Sequence, residues 1–273
     1  MSYNRLFTFG CSFTSWHWPT WADIMGQEFG EDRYYNLGIC ASGNEFAFHR
    51  LTEAHARYNI TPDDLVIICW TNFAREDRWM RGAWQTSGNI FGNSIYPPEW
   101  IEKWFDLKGA LIKTSSFIAG AAELLNNTGC DYVFGAAFPM TQIDQHDKLF
   151  TDQEYQRIFD AYQPYYDQIQ PSMVQYLYGK GVWKNPEPIR IVFDIDDTAP
   201  WPDHHPSTAQ HLKYATDILI PKLSREFSLS DQTVTWANDW QAKLKQHHYF
   251  NCARDGWSWD YRWRKNHQDR GLL

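Results

Sequence analysis

No stretch of this chain approaches the ~18 consecutive apolar residues of a membrane-spanning helix, and no membrane partner is expected. Positive charge is in deficit. Lys and Arg number 25 against 33 Asp and Glu, a net charge of −8, which argues against nucleic acid as the main partner. Cysteine is sparse and odd in number: Cys11, Cys40, Cys69, Cys130 and Cys252 have no metal-ligand spacing, so they are expected as reduced thiols of a cytoplasmic product. The opening Met1-Ser2-Tyr3-Asn4-Arg5 runs straight into an apolar strand, which leaves no room for a removable leader. A phage product released by lysis would look the same. There is no internal repeat and no low-complexity linker. With 273 residues, one decorated domain is expected.

What the chain has in plenty is aromatic surface. Hydrophobic residues make up 43 % and aromatics 17 %, with 15 Trp. That many indoles cannot all be fully buried, and aromatic faces are a common platform for sugar rings. Strands are expected over 3–10, 34–37, 64–70, 131–137 and 189–194, and helices over 20–29, 45–58, 99–127 and 207–227. Residues 73–98 read as irregular and 140–185 as an inserted helical section. Strands alternating with helices imply an α/β fold: a three-layer α/β/α arrangement around a parallel, doubly wound sheet. The expected domain spans 1–228, with aromatic-rich insertions at about 73–100 and 140–185, and 229–273 is expected as a C-terminal extension. Functional residues in such sheets gather at the carboxyl ends of strands.

Two short segments carry the chemistry. Gly10-Cys11-Ser12-Phe13-Thr14 leaves the first strand, and Asp203-His204-His205-Pro206 precedes the last helix of the domain. A serine hydroxyl is a weak nucleophile that needs an adjacent base, and the base needs a group to orient it. Between them lie Asn36-Leu37-Gly38 through Ser42-Gly43-Asn44 and the strand end Trp70-Thr71-Asn72. In order and spread over roughly residues 5–220, these four blocks resemble those of the SGNH (GDSL-type) hydrolases. The resemblance implies Ser12 as nucleophile, His205 as base and Asp203 as its orienter. It implies an oxyanion hole from the Ser12 and Gly43 backbone N–H groups and the Asn72 amide. It also implies ester hydrolysis through an acyl-serine intermediate, without metal or cofactor, on O-acetylated carbohydrates, acyl lipids or small esters. The aromatic content favours acetylated sugars, with Arg75, Trp79 and Trp84 as the substrate-binding residues.

Two features depart from that pattern. Cys11 stands where the family usually has Asp, next to Ser12; it looks like a rival nucleophile, but Cys is often an inert buried residue and Ser12 is the expected one. Asp203 and His205 are separated by one residue instead of two, and a Ser–His dyad is the fallback. Other readings stay open. A glycan-binding or structural module could use the same fold without chemistry. Ile191-Val192-Phe193-Asp194-Ile195-Asp196-Asp197-Thr198 resembles the first motif of haloacid-dehalogenase-type phosphatases, with Asp194 and Asp196 around Mg²⁺. Asp203, His204, His205 and His211 sit close enough in sequence to suggest a metal site, although the six-residue step from His205 to His211 does not suit one helical face. The tail from Lys243 to Arg270 mixes cations with aromatics. It could dock on the domain, contact an oligomer partner or bind an acidic ligand.

Overall fold

The computed structural model describes residues 3–92, 95–140, 152–179 and 185–257. In chain order the elements begin β1 (Leu6–Gly10), α1 (Trp21–Gly26), β2 (Tyr34–Asn36), α2 (Asn44–Tyr58), β3 (Leu65–Trp70), β4 (Arg75–Met80) and β5 (Ala83–Asn89). They continue α3 (Pro98–Trp104), α4 (Leu107–Thr128), β6 (Asp131–Ala136), α5 (Gln153–Tyr166), α6 (Met173–Tyr178), β7 (Ile189–Val192) and β8 (Trp201–Asp203). The last are α7 (Thr208–Tyr214), α8 (Asp231–Lys245), β9 (Phe250–Asn251) and α9 (Cys252–Asp255).

The main sheet has the order β2-β1-β3-β6, all parallel. β3 is apolar throughout because both its faces are covered. Leu65, Ile67 and Cys69 enter one core with residues of α1, α6 and α7, while Val66, Ile68 and Trp70 enter a second core with α2 and α4. That period of two produces the three layers. The connection reverses direction between β1 and β3, so a crevice opens at their carboxyl ends. Ser12 and Asn72 each stand two residues past those ends.

Several expected boundaries are corrected. Residues 73–98 are not irregular: they hold the antiparallel hairpin β4–β5, turned on Arg81 (φ 55°) and Gly82 (φ 79°). Both turn residues have positive φ, the geometry that matches hairpin twist. The expected helix 99–127 is two helices, because Phe105 and Asp106 are extended and the Asp106 carboxylate caps α4 by accepting from the Gly109 N–H at 2.6 Å. The helix expected over 207–227 leaves α geometry after Tyr214, passing through a π turn at Ala215–Leu219 and a 3₁₀ turn at Ile220–Lys222. Of the 140–185 section, α5 and α6 are helical, while 141–151 and 180–184 lie outside the described residues.

The strand at 189–194 does not join the main sheet. It is the centre of a separate sheet, β8-β7-β9, in which β7 runs antiparallel to β8 and parallel to β9. As far as Trp257, the segment expected as an extension is woven into this unit. Trp240, Leu244, Phe250 and Cys252 share a core with Trp16, Trp18, Ile189 and Ile191. Lys243 covers the Trp240 ring at 4.4 Å. Residues 258–273 of the tail lie outside the described residues.

Candidate active site

Ser12 sits in a tight turn in which the Cys11 carbonyl accepts from the Thr14 and Ser15 N–H groups at 2.8 and 3.1 Å. Gly10 permits the turn. Its φ is 146°, and a Cβ there would lie 2.7 Å from the Cys69 carbonyl oxygen on β3. The turn is braced from outside. The Thr14 carbonyl accepts from Thr20 Oγ1 at 2.7 Å and Asn36 Nδ2 at 2.9 Å, and Asp23 accepts from Thr20 and Asn36. Cys11 is fully buried in the core, whereas Ser12 keeps 6 % exposure. Burial removes Cys11 from contention as a nucleophile facing the crevice.

The single-residue spacing between Asp203 and His205 does bring them into contact. Asp203 ends β8, and its Oδ1 accepts from the His205 backbone N–H at 2.7 Å and from Nδ1 at 2.8 Å. With the Nδ1 proton turned to Asp203, Nε2 accepts from the Ser12 hydroxyl at 2.9 Å. One face of the imidazole is covered by Trp16, stacked at 3.8 Å and 24°, and Phe13 lies at 5.4 Å. Trp18 Nε1 donates to the Pro206 carbonyl at 2.8 Å, tying the serine loop to the histidine loop. Behind Pro206, Ser207 and Gln210 form a capping box that starts α7.

The expected oxyanion donors fare unequally. Among the described residues the Ser12 N–H makes no hydrogen bond. Asn72 Oδ1 accepts from the Ala74 N–H at 3.1 Å, which fixes the amide and leaves Nδ2 as its donor. Asn44 holds this strand end by bonding both the Thr71 N–H (2.9 Å) and carbonyl (2.8 Å). Gly43 is corrected: its N–H is taken by the Asp77 carboxylate, at 2.9 Å to each oxygen. Asp77 Oδ2 also accepts from the Phe46 N–H at 3.0 Å, so this hairpin residue caps α2. Burial pushes the Asp77 carboxyl up to about 6, against the backbone N–H groups and Arg75, which favour its charged form.

The three expected substrate residues separate. Arg75 starts β4 beside Gly43. Trp79 is four residues further along, about 13 Å at ~3.3 Å per strand residue. Trp79 and Trp84 instead line a cleft of about 670 Å³ with Glu45, His49 and Arg78, which Ser12, Asn72 and His205 do not line. Trp79 is 47 % exposed and meets Trp84 edge-on at 6.0 Å.

The rival motifs do not assemble. Asp194 and Asp196 stand in an exposed turn after β7, where the Asp194 carbonyl accepts from Asn251 Nδ2 at 3.2 Å. His204 turns away, its Nδ1 lying 3.3 Å from the Asn185 carbonyl. Among the described residues no three His, Cys, Asp or Glu side chains converge as a metal site. His211 is fully buried, and neither ring nitrogen has a hydrogen-bond partner among the described residues. Burial, aided by His205, pushes it down to about 3.

His211 therefore stays neutral in the folded protein while the unfolded chain gains a proton below ~6.5. Its contribution to stability is whole above that pH and is lost as pH falls toward 3. From pH 7.5 to 5 this amounts to about 2 kcal/mol. A His211→Leu variant should lose correspondingly less stability over that interval in urea titrations. An equal drop in both proteins would refute the assignment.

Sequence reasoning missed Trp16, Trp18, Asp23 and Asp77. Asn44 and Thr20 carry the usual helix-start signals, but nothing in the sequence ties Asp77 to α2 across 34 residues. No protein-family model matches this chain, and no curated protein matches it. Among solved structures, the chain is similar to a GDSL-like lipase from Bacteroides thetaiotaomicron, at a TM-score of 0.42 and 14 % identity, covering 78 % of this chain and 84 % of that one.

Proposed function

We propose that this protein is a serine ester hydrolase working through an acyl-serine intermediate. The observation that carries the reading is the hydrogen-bonded series Ser12 Oγ–His205 Nε2 and His205 Nδ1–Asp203 Oδ1, at 2.9 and 2.8 Å. Ser12 Oγ attacks the ester carbonyl carbon as His205 Nε2 takes its proton. Asp203 stabilises the imidazolium so formed. The tetrahedral oxyanion is met by the Ser12 N–H and Asn72 Nδ2, each such donor being worth roughly 3 kcal/mol. Collapse breaks the bond to the alcohol, which leaves with the proton from Nε2. Water then repeats the sequence on the acyl-serine and releases the acid. The finer proposal is a carbohydrate as the alcohol half, for which the aromatic content of 17 % with 15 Trp speaks, and acetyl as the acyl group.

The test is p-nitrophenyl acetate turnover with and without a chelator, beside labelling by a fluorophosphonate with the adduct mapped by mass spectrometry. Chelator-insensitive turnover and one adduct on Ser12 are expected. No adduct, or one elsewhere, sinks the reading. A panel of O-acetylated oligosaccharides, scored by acetate release, then tests the finer assignment.

Asp203 offers a more discriminating check. One oxygen receives both His205 donors, and the backbone N–H would hold an amide oxygen at the same point. Asp203→Asn therefore keeps the imidazole tautomer and loses only the charge, for an expected fall in kcat of about 10- to 100-fold. Asp203→Ala should approach the ~10⁴-fold loss of a triad whose tautomer is wrong. Equal losses in the two variants would show that the amide does not hold its place.

A further inference from the structure

Arg75 is a half-buried cation near the site that makes no ion pair among the described residues, although the Asp77 carboxylate acts on it electrostatically. It stands at the start of β4, with its Cβ 2.9 Å from where a Cβ on Gly43 would lie. Its Nη1 donates to the Ser42 carbonyl at 2.7 Å, and the Ser42 hydroxyl donates to the Gly10 carbonyl at 3.0 Å, one turn from Ser12. The guanidinium carbon lies 5.7 Å from the Phe138 ring centre. Phe138 packs on Phe13 at 5.1 Å, and Phe13 on His205 at 5.4 Å. The Cys40 thiol feels both Arg75 and Asp203. Arg75 thus belongs to the same wall as the Ser12–His205 pair.

The other arginines that are not exposed are matched, Arg225 with Asp63 at 3.7 Å among them. Arg50 pairs with Glu53 and Arg5 with Asp64, each at 2.5 Å. Arg75 forms no ion pair among the described residues, and its Nε is buried without a hydrogen-bond partner. The acid nearest in effect is Asp77, whose two oxygens are occupied by the Gly43 and Phe46 N–H groups. A guanidinium has five N–H donors, and the hydrogen bond to the Ser42 carbonyl engages one of the terminal nitrogens. An overall charge of −8 also repels anions at long range, so an anionic ligand needs a local, unneutralised cation to be held.

We propose that Arg75 anchors a carboxylate on the ester substrate, making the crevice selective for esters that carry a negative charge. The planar fork of the guanidinium matches a carboxylate edge-on. This inference rests on the hydrolase reading. The carboxylate belongs either to the acyl half, as in a dicarboxylic half-ester, or to the alcohol half, as in an acetylated uronic acid.

Two matched pairs separate these sources: mono-p-nitrophenyl glutarate against p-nitrophenyl pentanoate, and an O-acetylated methyl glucuronoside against the O-acetylated methyl glucoside. In one pair the wild type should favour the charged ester by about 10- to 100-fold in kcat/KM, carried mainly by KM. That pair identifies the half that bears the charge. In Arg75→Gln the ratio should fall to about one, with Arg75→Lys keeping part of it. Because the readout is a ratio within one preparation, loss of folded protein cancels. Turnover of the neutral esters with no preference for either charged one overturns the inference and leaves the hydrolase reading standing. A preference that survives Arg75→Gln also overturns it. Failure to hydrolyse any of the four, in a protein that turns over p-nitrophenyl acetate and is labelled on Ser12, overturns this inference and leaves the hydrolase reading standing.

Discussion

Ser12→Ala should lower p-nitrophenyl ester turnover by about 10⁴- to 10⁶-fold, with the fold unchanged. The alanine removes the atom that forms the acyl bond and leaves the oxyanion donors, so the remnant should stay above the rate in water. His205→Ala should fall to a similar floor, since Ser12 without the base at 2.9 Å remains a neutral hydroxyl. The double variant should fall no further than the worse single one, because the two residues act as a unit. Steady-state kinetics on the four proteins, with circular dichroism as a control for folding, makes the comparison. Turnover within tenfold of wild type in Ser12→Ala would assign the nucleophile elsewhere. Losses that multiply in the double variant would mean that Ser12 and His205 act independently.

Trp18→Ala should destabilise the protein by about 3–5 kcal/mol, the usual loss for a large aromatic removed from a packed core. Trp18 is fully buried among Trp16, Ile189, Ile191, Trp240 and Phe250, and meets the Phe250 ring edge-on at 5.9 Å. For a chain of this size that loss corresponds to a melting temperature lower by about 10 °C. Activity should fall as well, because the indole N–H fixes the Pro206 carbonyl next to His205. Trp18→Phe separates the two effects: most of the packing survives while the hydrogen bond across 188 residues is lost. Thermal melts and ester kinetics on both variants decide the matter. A Phe variant with wild-type kcat would show that the Pro206 carbonyl needs no donor.

The main sheet was legible because β1, β3 and β6 are buried on both faces, and such strands read as unbroken apolar runs. Ser12, Asn72 and the Asp203–His205 pair were legible as polar residues following those runs or opening a helix. The β4–β5 hairpin was not, because its first strand, Arg75-Glu76-Asp77-Arg78-Trp79-Met80, carries charge on both faces and turns on Arg81-Gly82 instead of Asn-Gly. The same opacity hid Asp77, so Gly43 was read as an oxyanion donor when its N–H is already engaged. β7 has the apolar look of a main-sheet strand. Its true partners, Trp201–Asp203 and Phe250–Asn251, are too short to announce themselves as strands. Pairings of that kind are set by the tertiary packing around Trp18 and Trp240, which no local pattern encodes.

The small sheet β8-β7-β9 also dictates when the site can come into being. Asp203 closes β8, β8 pairs with β7, and the other edge of β7 is completed only by Phe250–Asn251. Ser12 and His205, hydrogen-bonded in the fold, are 193 residues apart. At ribosomal speeds of about 5–20 residues per second, Ser12 is made some 10–40 s before His205 exists. The strand that steadies Asp203 arrives later still. A nascent chain therefore carries an inert serine at least until residue 251 is made, and on the proposed reading its hydrolytic power appears only once that strand can pair.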